Sequence, residues 1–300
     1  MKKILVIGSA VVDVVINLDH LPVKSEDVHV LSQRMSLGGC AYNTSDIIRH
    51  FGVPYIPFFP VGTGAYGDFV RSRLAERGIV SPIPTPARDN GCCYCFVEAD
   101  GERTFASYHG AEYLFERDWF DSLDASQISS AYICGLEIEE TTGSNIVDYL
   151  EQHPEFSVFF APGPRLERIE PALMERLFLL HPVLHLNEEE ALTYTGQADR
   201  ASAARALYKR SGNTVLITLG KDGCYAYDGT QEYTVPGVPA CQTDTIGAGD
   251  SHIGAILAAL QLGKPLPEAI AIANRVSAKV VETTGALLSD EAFRALGLGR

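Results

Sequence analysis

The stretch DTIGAGDSHIG, residues 244–254, combines two closely spaced glycines, a carboxylate and the start of a helix. Gly247 and Gly249 have no Cβ atom, so the backbone there can bend sharply and bring successive N–H groups close to an anion. The residues that follow, 251–263, carry apolar side chains at helical spacing. The sequence therefore predicts a glycine turn at a helix N-terminus, where free amides and the helix dipole attract a phosphate.

Asp250 is unusual in such a turn, because a carboxylate repels a phosphate. Its presence there indicates that it has another task. One such task is to accept the proton of a hydroxyl group that attacks the phosphate. The alternative is that Asp250 only caps the helix, since aspartate is a favoured capping residue. The turn by itself leaves both interpretations open.

A second glycine motif, GGCAYN at 38–43, accompanies DTIGAGD at 244–250. Together they resemble the paired signatures of the ribokinase-like (PfkB) carbohydrate kinases. The resemblance continues in order and spacing along nearly the whole chain, through VIGSAVVD (6–13), VGTGAYGDFVRSRLAERGI (61–79), GERTF (101–105), NEEE (187–190), TLGKDG (218–223) and NRVSAKVVETTGA (274–286). It implies one kinase domain, 1–300, with the ribokinase-like three-layer α/β/α sandwich.

The composition is that of an ordinary globular protein, with 46% hydrophobic and 21% charged residues. The formal net charge of -14 argues against nucleic acid or an anionic membrane as a partner, since both require a basic surface. The seven cysteines are an odd number, which is typical of reduced thiols in a cytoplasm. Cys92, Cys93 and Cys95 could suggest a metal site, but no second ligand group follows at zinc spacing, so we interpret them as thiols on a strand.

The N-terminal residues, MKKILVIGSAVV, place two lysines before an apolar run, as a secretory signal does. Asp13 interrupts this run, and no convincing cleavage site follows it. We therefore expect no signal peptide and a cytoplasmic protein.

Apolar segments alternate with segments at helical spacing, which predicts a mainly parallel sheet with helices on both faces. The predicted strands are 4–8, 55–62, 130–135, 157–161, 183–187 and 214–220, and the predicted helices include 43–52, 68–78, 144–153 and 189–196. Two segments, roughly 14–37 and 83–109, break the alternation and resemble short strands with turns. In the ribokinase-like family these positions form a small β-sheet lid over the sugar site, which often also mediates dimerisation, so a homodimer through the lid is expected.

The acceptor side is predicted from residues near the N-terminus. Asp13, at the expected end of the first strand, would lie at the edge where open α/β sheets bind ligands. The matching aspartate of the family accepts hydrogen bonds from vicinal hydroxyls, although Asp13 could also be a capping residue. Gly38 and Gly39 allow the chain to pass close to a substrate. Asn43 offers a donor and an acceptor to a hydroxyl, or an N-cap to the helix that follows.

The motif NEEE at 187–190 follows an apolar strand and begins a helix, so its carboxylates could simply complement the helix dipole. In the resembled family the Asn and Glu of this motif help to hold the Mg²⁺ of the nucleotide through water, which assigns Asn187 and Glu190 to that ion. The family also implies ATP contacts and a K⁺ site. The ATP contacts are Thr218, Gly220, Gly223 and Asn274, and the K⁺ ligands are Asp244 and the carbonyls of Ile246, Val280, Thr283 and Gly285, with Ser289 nearby.

The sequence thus predicts an ATP-dependent kinase that phosphorylates a hydroxymethyl group of a sugar or sugar-like substrate. Asp250 would accept the proton, while the amides of Gly247, Ala248 and Gly249 would stabilise charge on the transferred group. The alternative within the fold is a nucleoside kinase of the adenosine or pseudouridine type. A non-catalytic sensor is disfavoured by the intact Asp250, and a dinucleotide-dependent dehydrogenase by the absence of GxGxxG after the first strand.

The acceptor itself is not determined by these motifs. Val11 and Cys40 stand where ribokinases often have asparagine and lysine, which argues against ribose. Specificity is expected to lie in the lid, where the candidate contacts are Tyr94, Phe96, Phe105, Tyr108 and His109.

Overall fold

The computed structural model describes residues 1–298, so the last two residues of the predicted domain, 299 and 300, lie outside the described residues. Within that range the chain forms twelve strands: β1 (Lys3–Ile7), β2 (Val11–Asn17), β3 (Ser32–Gly38), β4 (Tyr55–Phe58), β5 (Cys92–Val97), β6 (Arg103–Tyr108), β7 (Ile128–Cys134), β8 (Ser157–Ala161), β9 (Val183–Asn187), β10 (Val215–Thr218), β11 (Cys224–Tyr227) and β12 (Glu232–Val235). The α-helices of the same range are α1 (Cys40–His50), α2 (Gly64–Glu76), α3 (Gly135–Ile138), α4 (Gly143–Glu151), α5 (Pro171–Leu179), α6 (Glu188–Thr195), α7 (Arg200–Ser211), α8 (Ala248–Gln261), α9 (Leu266–Val281) and α10 (Asp290–Arg294).

The large sheet has the strand order β12-β11-β10-β9-β8-β7-β1-β4. The strands from β10 to β4 are parallel, and β11 and β12 extend the sheet in antiparallel fashion. Along β1, Ile4 and Val6 belong to one hydrophobic cluster, whereas Leu5 and Ile7 belong to another. Helices α1, α2, α8 and α9 contribute to the first cluster and α4, α5, α6 and α7 to the second. The predicted α/β/α sandwich with a mainly parallel sheet is therefore confirmed.

A smaller sheet has the order β3-β2-β5-β6, with β2 and β5 parallel and the outer pairs antiparallel. Its strands lie largely in the two segments that break the alternation, 14–37 and 83–109. That these segments act as a lid within one domain remains a prediction. In the described residues, no helix is both long enough and apolar enough to cross a membrane.

One local prediction was wrong, and one of the two alternatives for Asn43 is excluded. Asp13 does not close the first strand, because the backbone turns at Gly8, where φ is 153°, and enters β2 of the smaller sheet. Asp13 therefore lies in the middle of β2, opposite Ser36. Asn43 is not an N-cap, because α1 begins at Cys40 and its N-cap is Gly39.

Candidate active site

The glycine turn forms the N-terminus of α8, as predicted. Gly247 is the N-cap, with φ 75°, and a Cβ atom there would lie 2.4 Å from the Cβ of Ala286. The N–H of Ala248 donates to the carbonyl of Thr245 (3.2 Å). The N–H groups of Gly247 and Gly249 have no protein acceptor within residues 1–298. Two amides are thus open to an anion at the positive end of the helix dipole.

Asp250 lies in the first turn of α8 and is held by α1. The Nδ2 atom of Asn43 donates to its Oδ2 atom (2.8 Å), and the hydroxyl of Thr44 donates to its backbone carbonyl (3.3 Å). The N-cap of α8 is Gly247, and no side chain caps this helix end. The geometry therefore does not match the capping interpretation of Asp250, whose carboxylate is directed to another helix.

The environment of Asp250 favours proton transfer near neutral pH. Burial raises its pKa to about 6, although the hydrogen bond from Asn43 acts in the opposite direction. Burial and the nearby charge of Asp250 raise the pKa of Asp13 to about 7, against the effect of Arg34. Two carboxyl groups with raised pKa values in one site are typical of acid–base catalysis.

Asp13 faces a cavity of about 170 Å³ beneath the smaller sheet. Its other lining residues include Arg34 and Ser36 from the small sheet and Ile246 from the glycine turn. A side chain at either glycine of the GGCAYN motif would displace a neighbouring group: the carboxylate of Asp13 at Gly38 and the backbone of Ser9 at Gly39. A Cβ atom at Gly38 would lie 2.0 Å from Oδ2 of Asp13, and one at Gly39 would lie 2.5 Å from the carbonyl oxygen of Ser9.

Of the five lid candidates, Phe105 lines this cavity. The Tyr94 hydroxyl lies 3.2 Å from that of Tyr66, on the face of the small sheet that packs against α2. The Nδ1 atom of His109 lies 2.5 Å from Oε1 of Glu140. Phe105 is therefore the lid candidate that lines the same cavity as Asp13.

A second cavity, of about 470 Å³, opens on the other side of the glycine turn. It brings together four predicted nucleotide contacts and Gly249, and it is also lined by Lys221 and His252. The four predicted contacts are Thr218, Gly220, Gly223 and Asn274. The cavity lies at the carboxyl end of β10, the edge at which parallel α/β sheets bind ligands.

Asn274 takes part in a buried network that the sequence reading missed. Its Nδ2 atom donates to the carbonyls of Val235 (3.1 Å) and Pro236 (3.0 Å), so its Oδ1 atom must accept from Nε2 of His252 (3.0 Å). Nδ1 of His252 then accepts from Nε2 of His185 (2.9 Å). Burial lowers the pKa of His252 to about 4 and that of His185 well below its usual range, so both rings are neutral. The side-chain atoms of Asn274 are therefore engaged in hydrogen bonds that stabilise the wall of the cavity.

Asn187 and Glu190 form a capping box at the start of α6. Oδ1 of Asn187 accepts from the Glu190 amide (2.8 Å), and Oε2 of Glu190 accepts from the Asn187 amide (3.0 Å). Burial raises the pKa of Glu190, an effect that the hydrogen bond from Asn187 partly offsets. Asn187 pairs with Thr218 in the sheet, which places the box beside the nucleotide cavity.

Of the predicted cation-loop residues, Ile246 and Gly285 contact Asp244 directly. Its Oδ1 atom accepts from the Ile246 amide (2.9 Å), and its Oδ2 atom accepts from the Gly285 amide (3.1 Å). The Val280 carbonyl accepts two hydrogen bonds from Thr283, at 2.9 and 2.8 Å. The Ser289 hydroxyl accepts from the Ala292 amide and so caps α10.

The family model "pfkB family carbohydrate kinase" matches residues 1–292. The chain belongs to this family. As a pfkB kinase it is an ATP-dependent enzyme that acts on a sugar or a nucleoside.

Similar proteins agree with this assignment. A relative from Escherichia coli K12, named "Uncharacterized sugar kinase YegV", is 32% identical over 288 residues, which cover 95% of this chain and 90% of that protein. The structure of a ribokinase from Thermotoga maritima aligns with a TM-score of 0.83 and 20% identity, and covers 98% of this chain and 99% of its own. The adenosine kinase of Sinorhizobium meliloti aligns with a TM-score of 0.83 and 19% identity over 99% of each chain. The two structures establish the fold.

Proposed function

We propose that this pfkB kinase transfers the γ-phosphoryl group of ATP to a hydroxymethyl group of a sugar or sugar-like acceptor, with Asp250 as the base. The observation that supports the proposal is that the glycine turn that carries Asp250 borders two cavities. Gly249 lines the larger cavity and Ile246 the smaller one, and both belong to the same turn as Asp250. An acceptor and a nucleotide on the two sides of this turn would meet at the open amides.

The reaction follows from these positions. A hydroxyl of the acceptor would transfer its proton to the carboxylate of Asp250 while its oxygen bonds to the γ-phosphorus, and the bond from that phosphorus to the leaving oxygen of ADP would break. The free amides of Gly247 and Gly249 would donate to the oxygens on which charge develops. The Ala248 amide would join them after releasing the Thr245 carbonyl. Asp13 would orient the acceptor through its other hydroxyls.

Asn187 and Glu190 fit the Mg²⁺ that we propose with the nucleotide. Both offer oxygen ligands beside the nucleotide cavity: Oε1 of Glu190 accepts no hydrogen bond within residues 1–298, and Oδ1 of Asn187, which accepts one from the Glu190 amide, would contact the ion through water. The bound ion would neutralise phosphate charge, and its reluctance to lose water suits contacts made through water. Glu190→Gln keeps an oxygen acceptor for the Asn187 amide but removes the charge. We therefore expect a wild-type melting temperature and a raised Mg²⁺ requirement for turnover; an unchanged requirement would leave Glu190 as a capping residue alone.

The acceptor class is tested by a phosphorylation screen with ATP over pentoses, hexoses, sugar acids and nucleosides. We expect turnover with a sugar. The runner-up, a nucleoside kinase, is favoured by Phe105, whose exposed ring lines the acceptor cavity and could stack on a base. Phosphorylation of nucleosides alone would select that alternative, and no turnover with any acceptor would contradict both.

We also propose a cytoplasmic location and a homodimer formed through the small sheet. The first is supported by the seven cysteines, all of which are free thiols. The second is supported by the distribution of exposed apolar side chains. Six of the ten large hydrophobic side chains that are exposed within residues 1–298 belong to the two proposed lid segments: Val23, Val30, Leu31, Met35, Phe105 and Tyr108.

A further inference from the structure

Arg103, the first residue of β6, connects the small sheet to the glycine turn. Its NH1 atom donates to Oδ1 of Asp244 at 2.6 Å, and the two residues are 141 positions apart in sequence. The Asp244 side chain is only 3% exposed and that of Arg103 is 28% exposed, so the ion pair is largely shielded from water. A shielded carboxylate of this kind needs a counter-charge, because burying an unpaired charge is costly.

Asp244 in turn orders the residues around the phosphate site. Its carboxylate accepts from the amides of Ile246 and Gly285, and so ties the start of the glycine turn to the loop after α9. The Arg103 guanidinium stays protonated in proteins, and its 2.6 Å contact with Oδ1 of Asp244 has the length of a charge-assisted hydrogen bond.

This arrangement does not fit a K⁺ ion at the site that the family resemblance implies. Asp244 is the one carboxylate among the predicted ligands, and both of its oxygens already accept hydrogen bonds, one of them from a full positive charge. The Val280 carbonyl, a second predicted ligand, already accepts two hydrogen bonds from Thr283. A K⁺ ion at this carboxylate would be repelled by the nearby Arg103 guanidinium, and Oδ1, which already accepts from Arg103 and Ile246, has no lone pair left for it.

We propose that the Arg103 guanidinium is the built-in counter-charge of Asp244 and takes the place of a monovalent cation, so that turnover does not depend on K⁺. Arg103 is then a positioning residue, which acts on the glycine turn through Asp244. The pair also makes the order of that turn depend on the small sheet that supplies Arg103. The proposal deepens the proposed function and rests on it for its activity measurement.

The test compares the whole protein in KCl and in tetramethylammonium chloride at equal ionic strength, by turnover and by thermal melting. For the wild type we expect turnover in the two salts to agree within about twofold, because equal ionic strength screens surface charge equally. Arg103→Ala should lose roughly tenfold or more of its turnover in tetramethylammonium. It should regain part of this loss in KCl and melt at a higher temperature there, because K⁺ can enter the vacated position. Arg103→Lys, which keeps a positive charge, should be less impaired.

Two further variants keep the test decisive. Arg73→Ala removes a surface pair with Glu76 and should behave as the wild type in both salts. Should Arg103→Ala fail to fold, Asp244→Asn combined with Arg103→Ala should fold again, since no unpaired charge remains. Several-fold activation of wild-type turnover by K⁺ would overturn the proposal. Equal losses of turnover for Arg103→Ala in the two salts would also overturn it. If no acceptor is phosphorylated, the melting temperatures still test this proposal. The missing turnover would then count against the proposed function alone.

Discussion

At the scale of the residue, Asp250 decides whether the glycine turn is a catalytic site. Asp250→Asn is nearly isosteric and can keep its contact with Asn43, so the fold and ATP binding should survive. The variant cannot accept a proton, and loss of a positioned general base costs about 10²- to 10⁴-fold in rate. The measurement is turnover with the best acceptor, and calorimetric ATP binding and a thermal melt are the controls. Turnover within about threefold of the wild type, with both controls normal, would remove the base from the mechanism.

The pH dependence of turnover tests the same residue in the wild-type protein. Asp250 must be charged to act as a base, so turnover should fall as the pH drops through its raised pKa of about 6. Asn43 stabilises the charged form, so Asn43→Leu, which removes the donor and keeps the site dry, should raise this pKa. The acid limb of the pH profile, over which turnover falls, should then move to higher pH by roughly one unit.

Thr44→Val is the matched control for this profile, because Thr44 contacts the backbone carbonyl of Asp250 rather than its carboxylate. Its acid limb should coincide with that of the wild type. A limb that stays in place in Asn43→Leu would show that another group, such as Asp13, governs the profile.

At the scale of the element, the two glycines of the turn should respond differently to alanine. Gly247 has a positive φ and its added Cβ would meet Ala286, so Gly247→Ala should displace the turn and lower both stability and turnover. A Cβ at Gly249 meets nothing within 4 Å and lies in a helix, where alanine is preferred by up to about 1 kcal/mol. Gly249→Ala should therefore melt at the same or a higher temperature and bind ATP more weakly, because its methyl group enters the nucleotide cavity. Equal melting temperatures for the two variants would contradict this account of the turn.

The elements themselves were largely predictable, since their signals are local. Strand 183–187 and the helix after the glycine turn follow from apolar periodicity alone. Asp13 was misplaced because β1 and β2 form one nearly continuous apolar run, in which the turn at Gly8 carries no stronger signal than an ordinary glycine. The missed contacts are of another kind. Arg103 with Asp244 and Asn43 with Asp250 join residues 141 and 207 positions apart, and no spacing rule relates such pairs before the sheets are assembled.

At the scale of the whole molecule, the small sheet is the surface where a second copy is expected to bind. Apolar side chains that remain in water there, among them Leu31 and Met35, would gain by mutual burial. Sedimentation equilibrium should therefore give twice the chain mass of 32.5 kDa.

Leu31→Glu combined with Met35→Glu should give the single-chain mass, because two buried carboxylates without partners would oppose association. Leu179→Glu, at an equally exposed apolar residue on α5, is the control and should leave the dimer intact. A wild type of single-chain mass at all concentrations would exclude the homodimer, and dissociation by Leu179→Glu instead would move the interface away from the small sheet.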